Sequence, residues 1–407
     1  MRMLFPFDLD GFIRTQVTGR PQPLFRHEMD AFADMLAERI AGRRVLVTGG
    51  AGTIGKAFIR ELLPFRPAAL VVVDRSENGL AELTRNLRSA AGQYVPPLFR
   101  PLPLDVGGPV FPRLLAQSAP FDIVAHFAAH KHVRSEKDAY SLEALLRNNL
   151  LATHRLLEGL LDRPPQHFFA VSTDKAARPV NAMGASKKLM EDVLLAYAGL
   201  LPVSSARFAN VAFSQGSLPD AFLRRLALRQ PLSAPRDIRR YFLSPQEAGQ
   251  LCLLTCMLAA PGECFFPKLK RKSLLSFATL AERLLACLGL EARPCATEEE
   301  ARQLAARRQP GQTTYPVYFF DSDTDGEKAE EVFCGPTEEV EWERFAHIGV
   351  LRPPGNPDYD SMQKRIRRLE VLLARPVLTK RELLDALRAA VPSFAHRERG
   401  KQLDERM

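Results

Sequence analysis

The segment VLVTGGAGTIG at residues 45–55 limits what this chain can fold into more than any other stretch. An apolar run enters it and a helical run leaves it, with Gly49, Gly52 and Gly55 at the turn between them. Side chains at those positions would block a tight turn and the close approach of a pyrophosphate. The helix that Thr53 and Ile54 open offers unpaired amide donors and the positive end of its dipole to an anion. A glycine triplet alone is a weak signal. This one is trailed by Asp74 at the end of the next apolar run, LVVVD, where an acid can accept from the hydroxyls of a ribose. A dinucleotide site in a doubly wound α/β fold is the expectation. Asp74 favours NAD, because its charge repels a 2′-phosphate. Arg75 and Ser76 could hold such a phosphate, so NADP stays open. Asp105, ending the third apolar run, is a partner for the adenine amino group.

The runs 45–49, 70–74, 99–105, 122–128, 168–173 and 204–210 read as strands, and their near-continuous apolar character suits a parallel sheet covered on both faces. Amphipathic stretches such as Leu145–Leu161 and Ala185–Ala198 lie between them. Upstream, Met29, Phe32, Met35, Leu36 and Ile40 make a helical stripe over His27–Ile40. Downstream of Asn210 prolines break the pattern into short elements, as in a smaller substrate lobe. Two helices end the chain, one around Asp358–Leu373 and one opened by a capping box from Thr379 to Glu382. The division is an N-terminal extension (1–42), a Rossmann-type doubly wound parallel sheet (43–210), a mixed substrate lobe interleaved with it (211–350), and C-terminal helices (351–407).

Composition excludes more than it assigns. The net charge of +9 is spread along 407 residues, densest at Lys364–Arg368 and His396–Arg406, without interleaved aromatics, so nucleic acid is not the expected partner. No run of about 18 uncharged apolar residues occurs and the first residues lack an apolar signal core, which points to a cytoplasmic protein without a membrane span. Cys252, Cys256, Cys264, Cys287, Cys295 and Cys334 form no C-x-x-C pair and read as buried free thiols, with no metal site.

The strand FFAVST runs into STDKAARPVNAMGASKKLMED. Thr173, Asp174 and Lys175 would emerge at the carboxyl end of a central strand, beside the crevice of a doubly wound sheet. Met183 and Lys187, four apart on the following helix, share one face. This spacing resembles the Tyr-x-x-x-Lys of extended short-chain dehydrogenases. The chain is similar over most of its length to the nucleotide-sugar 4,6-dehydratases of capsule and surface-glycan synthesis, above all those acting on UDP-N-acetylglucosamine. The strings that carry the likeness are TGGAGTIG, VVVDRSENGLAEL, FAAHKHVRSEKD, VSTDKAARPVNAMGASKK, RFANVAFSQGS, DIRRYFLSPQEAGQ and SDTDGEKAEE.

The resemblance implies a redox-neutral dehydration of a UDP-sugar to a UDP 4-keto-6-deoxy sugar. In it Lys175 is the base at carbon 5, Asp174 the acid for the departing 6-hydroxyl, and Thr173 the partner of the 4-hydroxyl. That chemistry asks for Asp174 raised in pKa, and for Lys175 lowered by desolvation or by cations such as Lys187 or Lys131. Met183 stands where the pattern has tyrosine, and a thioether cannot take the 4-hydroxyl proton. Asp174 or a water held by Thr173 is left for that step, and Lys187 for the nicotinamide ribose. Ala128 and Ala129, beyond the fourth strand, join the cofactor set. Lys131, ahead of His132, faces cofactor and sugar. Asn210, Arg236, Arg239 and Arg240 are candidates for the pyrophosphate, since guanidinium forks match phosphate oxygens. Glu327 and Lys328 match a Gly-Glu-Lys element whose usual Arg-Pro is Thr324-Asp325 here.

Two other readings stay open: a 4-epimerase, which needs no acid and base at carbons 5 and 6, and a silent cofactor-binding protein marked by Met183. A homo-oligomer is expected, with the Leu145–Leu161 stripe able to pair across a dimer.

Overall fold

Six of the apolar runs form parallel strands: β1 (Arg44–Thr48), β2 (Ala69–Asp74), β3 (Leu98–Pro103), β4 (Ile123–His126), β5 (His167–Thr173) and β6 (Val203–Phe208). In this computed structural model, which describes residues 7–132, 136–322, 331–352, 355 and 358–396, they lie in the order β3-β2-β1-β4-β5-β6. Cys264–Pro267 adds a parallel strand beside β6, and Ile348–Leu351 and Val340–Glu341 close that edge antiparallel. The fold is therefore a Rossmann-type doubly wound sheet, and segments from beyond residue 211 complete it. Strand order reverses between β1 and β4, and ligands of such sheets bind outside the strand ends at that point.

Both faces of the sheet are dry because both carry helices. Val45, Val47, Leu70 and Val72 point at Thr53–Leu62, Glu77–Ser89 and Pro245–Leu258. Leu46, Val71, Val73 and Val124 point at Phe111–Gln117, Ala139–Leu146 and Ala182–Tyr197. A third apolar cluster fills the lobe, whose small sheet pairs Leu232–Pro235, Thr314–Phe320 and Glu291–Pro294 in parallel. Phe12, Ile13 and Val17 of the N-terminal segment belong to that cluster.

Two stretches depart from the sequence reading. The single helix expected over His27–Ile40 is two, Arg26–Ala31 and Ala33–Ile40, broken at Phe32. Tertiary contacts outweigh local periodicity there. Phe32 sets its ring edge against Phe345 at 5.6 Å, and buried Glu28 accepts from the His347 amide at 2.6 Å. Within Leu145–Leu161, a π-helical turn at Arg147–Leu151 separates Ala139–Leu146 from Ala152–Glu158. The apolar residues of this stripe are buried within the single chain, against Tyr359–Leu373 and Lys380–Ala390. Tyr359 and Gln363 both donate to Glu158 at 2.9 Å, so the chain's own C-terminal helices occupy the face expected to meet a second copy. The helix after Thr379 starts on the expected capping box. Of the six cysteines, four are buried, Cys334 is half-buried and Cys287 is exposed, because Cys287 is the last residue of an amphipathic helix. Among the described residues no helix is long and apolar enough to cross a membrane, and no cluster of His, Cys, Asp and Glu could hold a metal.

Candidate active site

The glycine loop sits at the carboxyl end of β1. Gly49 has φ +69°, and a Cβ there would come within 2.4 Å of the Ala128 nitrogen. At Gly55 a Cβ would meet the Gly49 carbonyl oxygen at 2.5 Å. These two glycines are required by the protein's own packing. Gly52 has only one neighbour, at 3.4 Å, so packing leaves it free and the approach of a bound anion is its remaining reason. Thr53 and Ile54 follow at the start of Thr53–Leu62.

Asp74 shapes the floor of the cleft. Its two oxygens accept from the amides of Ala51 at 3.0 Å and Ser76 at 2.8 Å, which ties the glycine loop to the end of β2. Arg75 is exposed beside it, whereas Ser76 Oγ is engaged as a helix cap, accepting from the Gly79 amide. β3 ends at Pro103, so exposed Asp105 belongs to the loop beyond it and accepts from Gly107. Ala128 and Ala129 line the turn after β4. Lys131 Nζ donates to the Gln215 carbonyl at 2.7 Å, and the Gln215 amide donates to Thr53 Oγ1 at 3.0 Å. Segment 213–217 thereby links Lys131 to the glycine loop.

Thr173, Asp174 and Lys175 form a tight turn at the end of β5. Thr173 Oγ1 donates to Asp174 Oδ1 at 2.8 Å, and Lys175 Nζ donates to the same oxygen at 3.1 Å. Asp174 is 4% exposed and the Lys175 side chain 25% exposed, so the pair is open on the lysine side. Burial works to discharge Lys175, but the carboxylates of Asp174 and Glu331 outweigh it and hold the ammonium above its ordinary pKa, with Arg240 opposing them. The expected lowering is thus reversed. Its physical reason is that two carboxylates bear on the ammonium and together outweigh burial and the charge of Arg240.

Met183 and Lys187 lie one turn apart on Ala182–Tyr197, both buried, and they face the core side of β5. Lys187 Nζ donates to the Val171 carbonyl at 3.0 Å, and burial pushes its pKa down to about 8 against the pull of Glu191. The four candidates for phosphate divide. Asn210 and Arg240 reach the Asp174–Lys175 pair through Glu331: Asn210 Nδ2 donates to Glu331 Oε1, and buried Arg240 bears on Glu331 and Lys175 by charge. Arg236 points elsewhere, paired with Asp321 at 3.1 Å on the exposed end of the lobe sheet. Arg239 is exposed on a short strand paired with Leu275–Ser276. Glu327 and Lys328 lie outside the described residues.

Sequence reasoning passed over three residues. Buried Glu331 accepts from Asn210 and from the Tyr241 amide at 2.7 Å. Its only signal was its position in SDTDGEKAEE. Asn149, fully buried, clamps the loop after β4 by accepting from the His130 amide and donating to the His130 carbonyl. A polar residue inside an otherwise apolar stripe was its mark. His126 bridges Thr48 Oγ1 at 2.6 Å and Thr153 Oγ1 at 2.9 Å beneath the glycine loop; burial and the Lys187 charge lower its pKa to about 3, so it is neutral.

This combination sets a glycine loop at the end of β1 and a hydrogen-bonded Asp174–Lys175 pair at the end of β5 of one doubly wound sheet. The polysaccharide biosynthesis protein family model matches residues 45–348, and the chain belongs to that family. An uncharacterised membrane protein of Methanocaldococcus jannaschii is 34% identical over 233 residues, covering 56% of this chain and 67% of its own. The capsular polysaccharide biosynthesis protein CapD of Staphylococcus aureus is 30% identical over 57% of this chain, a match that spans only 39% of CapD. An inverting UDP-N-acetylglucosamine 4,6-dehydratase of Campylobacter jejuni is 25% identical over 58% of this chain and 70% of its own. Among solved structures, the dTDP-glucose 4,6-dehydratase DesIV of Streptomyces venezuelae, bound to NAD and TYD, superposes with a TM-score of 0.55 at 23% identity, over 72% of this chain and 88% of its own. That likeness is one of fold.

Proposed function

We propose that this chain catalyses the NAD-dependent 4,6-dehydration of a UDP-sugar, with UDP-N-acetylglucosamine the first substrate to test. The observation that carries this reading is the Asp174–Lys175 hydrogen bond at the carboxyl end of β5, an acid and a base in direct contact on the rim of a dinucleotide cleft. A dehydration across carbons 5 and 6 needs such a pair. An epimerisation at carbon 4 does not.

The residues suit the cofactor. Gly49, Gly52, Gly55, Thr53 and Ile54 would receive its pyrophosphate, Asp74 the adenosine ribose, Asp105 the adenine, and Ala128, Ala129 and Lys187 the nicotinamide end. When bound, NAD supplies the hydride acceptor and donor that make the cycle redox-neutral. The charge of Asp74 repels a 2′-phosphate, and this supports NAD over NADP.

The chain's own contribution is proton handling. Lys175 rests charged and paired with Asp174. Moving one proton from Nζ to Oδ1 along their 3.1 Å hydrogen bond yields a neutral amine and a carboxylic acid with no net change of charge. The amine then removes the carbon-5 proton and the acid protonates the leaving 6-hydroxyl, so that water departs and the pair is restored. The 4-hydroxyl proton leaves to a water held by Thr173, and solvent returns one proton to carbon 5 to close the cycle. Thr173 would orient the 4-hydroxyl, and Asn210 and Arg240 would hold the UDP phosphates. Met183 packs in the core and contributes no proton.

The test is to incubate the protein with UDP-N-acetylglucosamine in deuterated water and follow the sugar protons by NMR. A new methyl with solvent deuterium at carbon 5 is expected. A galacto isomer without a methyl would replace the dehydratase by an epimerase. Cofactor binding without turnover of any UDP-sugar tried would leave the silent binder that buried Met183 favours.

A further inference from the structure

A third carboxyl group stands behind the Asp174–Lys175 pair, and nothing in the mechanism above uses it. Glu331 is 8% exposed. Both of its oxygens are held: Oε1 by the Asn210 side chain and Oε2 by the Tyr241 amide at 2.7 Å. The charged groups that bear on it come from two other elements. Asp174 and Lys175 face it from the turn after β5, and Arg240 from the strand that precedes Tyr241. A carboxyl buried to this degree, fixed at both oxygens and set against an acid–base pair, is costly to build without a use.

We propose that Glu331 is a positioning residue of this site, which governs by its charge how tightly Lys175 holds its proton. This rests on the reading of Lys175 as the carbon-5 base. Burial and then the Asp174 charge push Glu331 up to about 8, with Lys175 and Arg240 pulling the other way. Glu331 therefore gains its full charge only on the alkaline side of neutrality, where it adds to Asp174 in holding the Lys175 ammonium. Once Glu331 is ionised, a second anion faces the ammonium and Lys175 holds its proton more tightly. The same carboxyl grips Asn210. The segment expected to hold the nucleotide and the group that tunes the base are thus mechanically one unit.

The experiment uses the full chain with its cofactor and two comparisons. In the first, Lys175 is labelled with acetic anhydride across a pH series and followed by peptide mass spectrometry, for wild type and Glu331→Gln. The midpoint of labelling should move to lower pH in the variant by roughly one unit, the size expected when one of two close anions is removed. An unmoved midpoint in a folded, NAD-binding variant would overturn the proposal. In the second, Glu331→Asp, which keeps a carboxyl group, should bring the labelling midpoint back toward the wild-type value, whereas a merely structural role would leave both variants alike. Should the variant fail to fold, isotope-edited infrared spectra of ¹³C-glutamate wild type decide the matter. A protonated glutamic acid band that disappears near pH 8 is required, and its absence at pH 7 refutes the assignment. If the labelling midpoint shifts while no UDP-sugar is dehydrated, the proposed reaction fails and the coupling of Glu331 to Lys175 stands.

Discussion

The ammonium of Lys187 donates to the Val171 carbonyl at 3.0 Å from a side chain buried between its helix and β5. Its pKa near 8 lies below the ordinary lysine value of 10.5, because burial outweighs the attraction of Glu191. Below pH 8 both folded and unfolded chains carry the proton, and the folded state bears the full penalty, about 3 kcal/mol. Between pH 8 and 10.5 the unfolded chain binds more protons, so this residue makes stability rise with pH. Lys187→Met should therefore be more stable than wild type at pH 7, with the gap closing toward pH 10.5. Urea midpoints at the two pH values check it, and a gap independent of pH would disprove the burial argument.

Asp174→Asn and Lys175→Met test the acid–base pair one partner at a time. Each should lower the dehydration rate by about 10²–10⁴-fold, the range that a positioned proton donor or acceptor contributes. NAD affinity should hold, since neither residue belongs to the glycine loop or to Asp74. Fluorescence titration with NAD alongside the NMR assay separates these effects. Loss of NAD binding in step with activity would mean that the turn after β5 is structural.

Asp74 accepts from Ala51 and Ser76, and removing it does two things at once. Asp74→Ala takes a charged acceptor from the ribose and loosens the glycine loop. NAD should bind roughly 10–100-fold more weakly, in keeping with about 1.5–3 kcal/mol for a hydrogen bond to a charged group. NADP should lose less, because the repulsion of its 2′-phosphate disappears along with the bond. Calorimetric titration of both cofactors reads the ratio. An equal loss for the two would remove Asp74 as the discriminating residue.

Local pattern and long-range contact account for what the sequence revealed. Five of the six strands and the glycine loop were legible, because a strand buried on both faces needs a continuous apolar run and the turn after it needs glycine at Gly49 and Gly55. The sixth, β3, lies on the sheet edge, is partly exposed and showed itself by an apolar run all the same. The capping box at Thr379 was legible for the same reason. Thr173, Asp174 and Lys175 became candidates through resemblance, since a Thr-Asp-Lys turn means little by itself. The protonation of Lys175 was not legible at all. Burial opposes it and Asp174 favours it most, joined by Glu331, far along the chain and brought close only by the fold. Arg236, Arg239 and Arg240 look alike in sequence, and only the pairing of the lobe strands turns Arg240 inward and Arg236 toward Asp321. Leu145–Leu161 was read as amphipathic, with a stripe able to pair across a dimer, and its apolar side is buried. Its partner is the chain's own C-terminal pair of helices.

Arg207 offers the sharpest stability test. Its guanidinium, 1% exposed, is gripped by Glu191 at 2.9 and 2.7 Å and by Glu338 at 2.6 and 2.7 Å, with the Phe333 carbonyl completing the set at 2.8 Å. Ser172, next to Thr173, donates to Glu191 at 2.5 Å, so the network supports the strand end that carries the candidate acid and base. Arg207→Met strands two carboxylates beside one another in the interior, and breaking a buried pair in this way costs about 3–5 kcal/mol. Glu191 is held below its ordinary pKa despite burial, chiefly by Arg207. Its contribution is present above the unfolded value and is lost as pH falls through the folded one. The variant's deficit should therefore be largest near neutrality and shrink in acid, where its stranded carboxylates take up protons. The triple change Arg207→Met, Glu191→Met, Glu338→Met should recover most of the loss, because no charge is then left unpaired. Urea unfolding from pH 4 to 8 measures all three proteins. A single variant no less stable than wild type at pH 7 would mean that the ion pairs do not hold this strand end together.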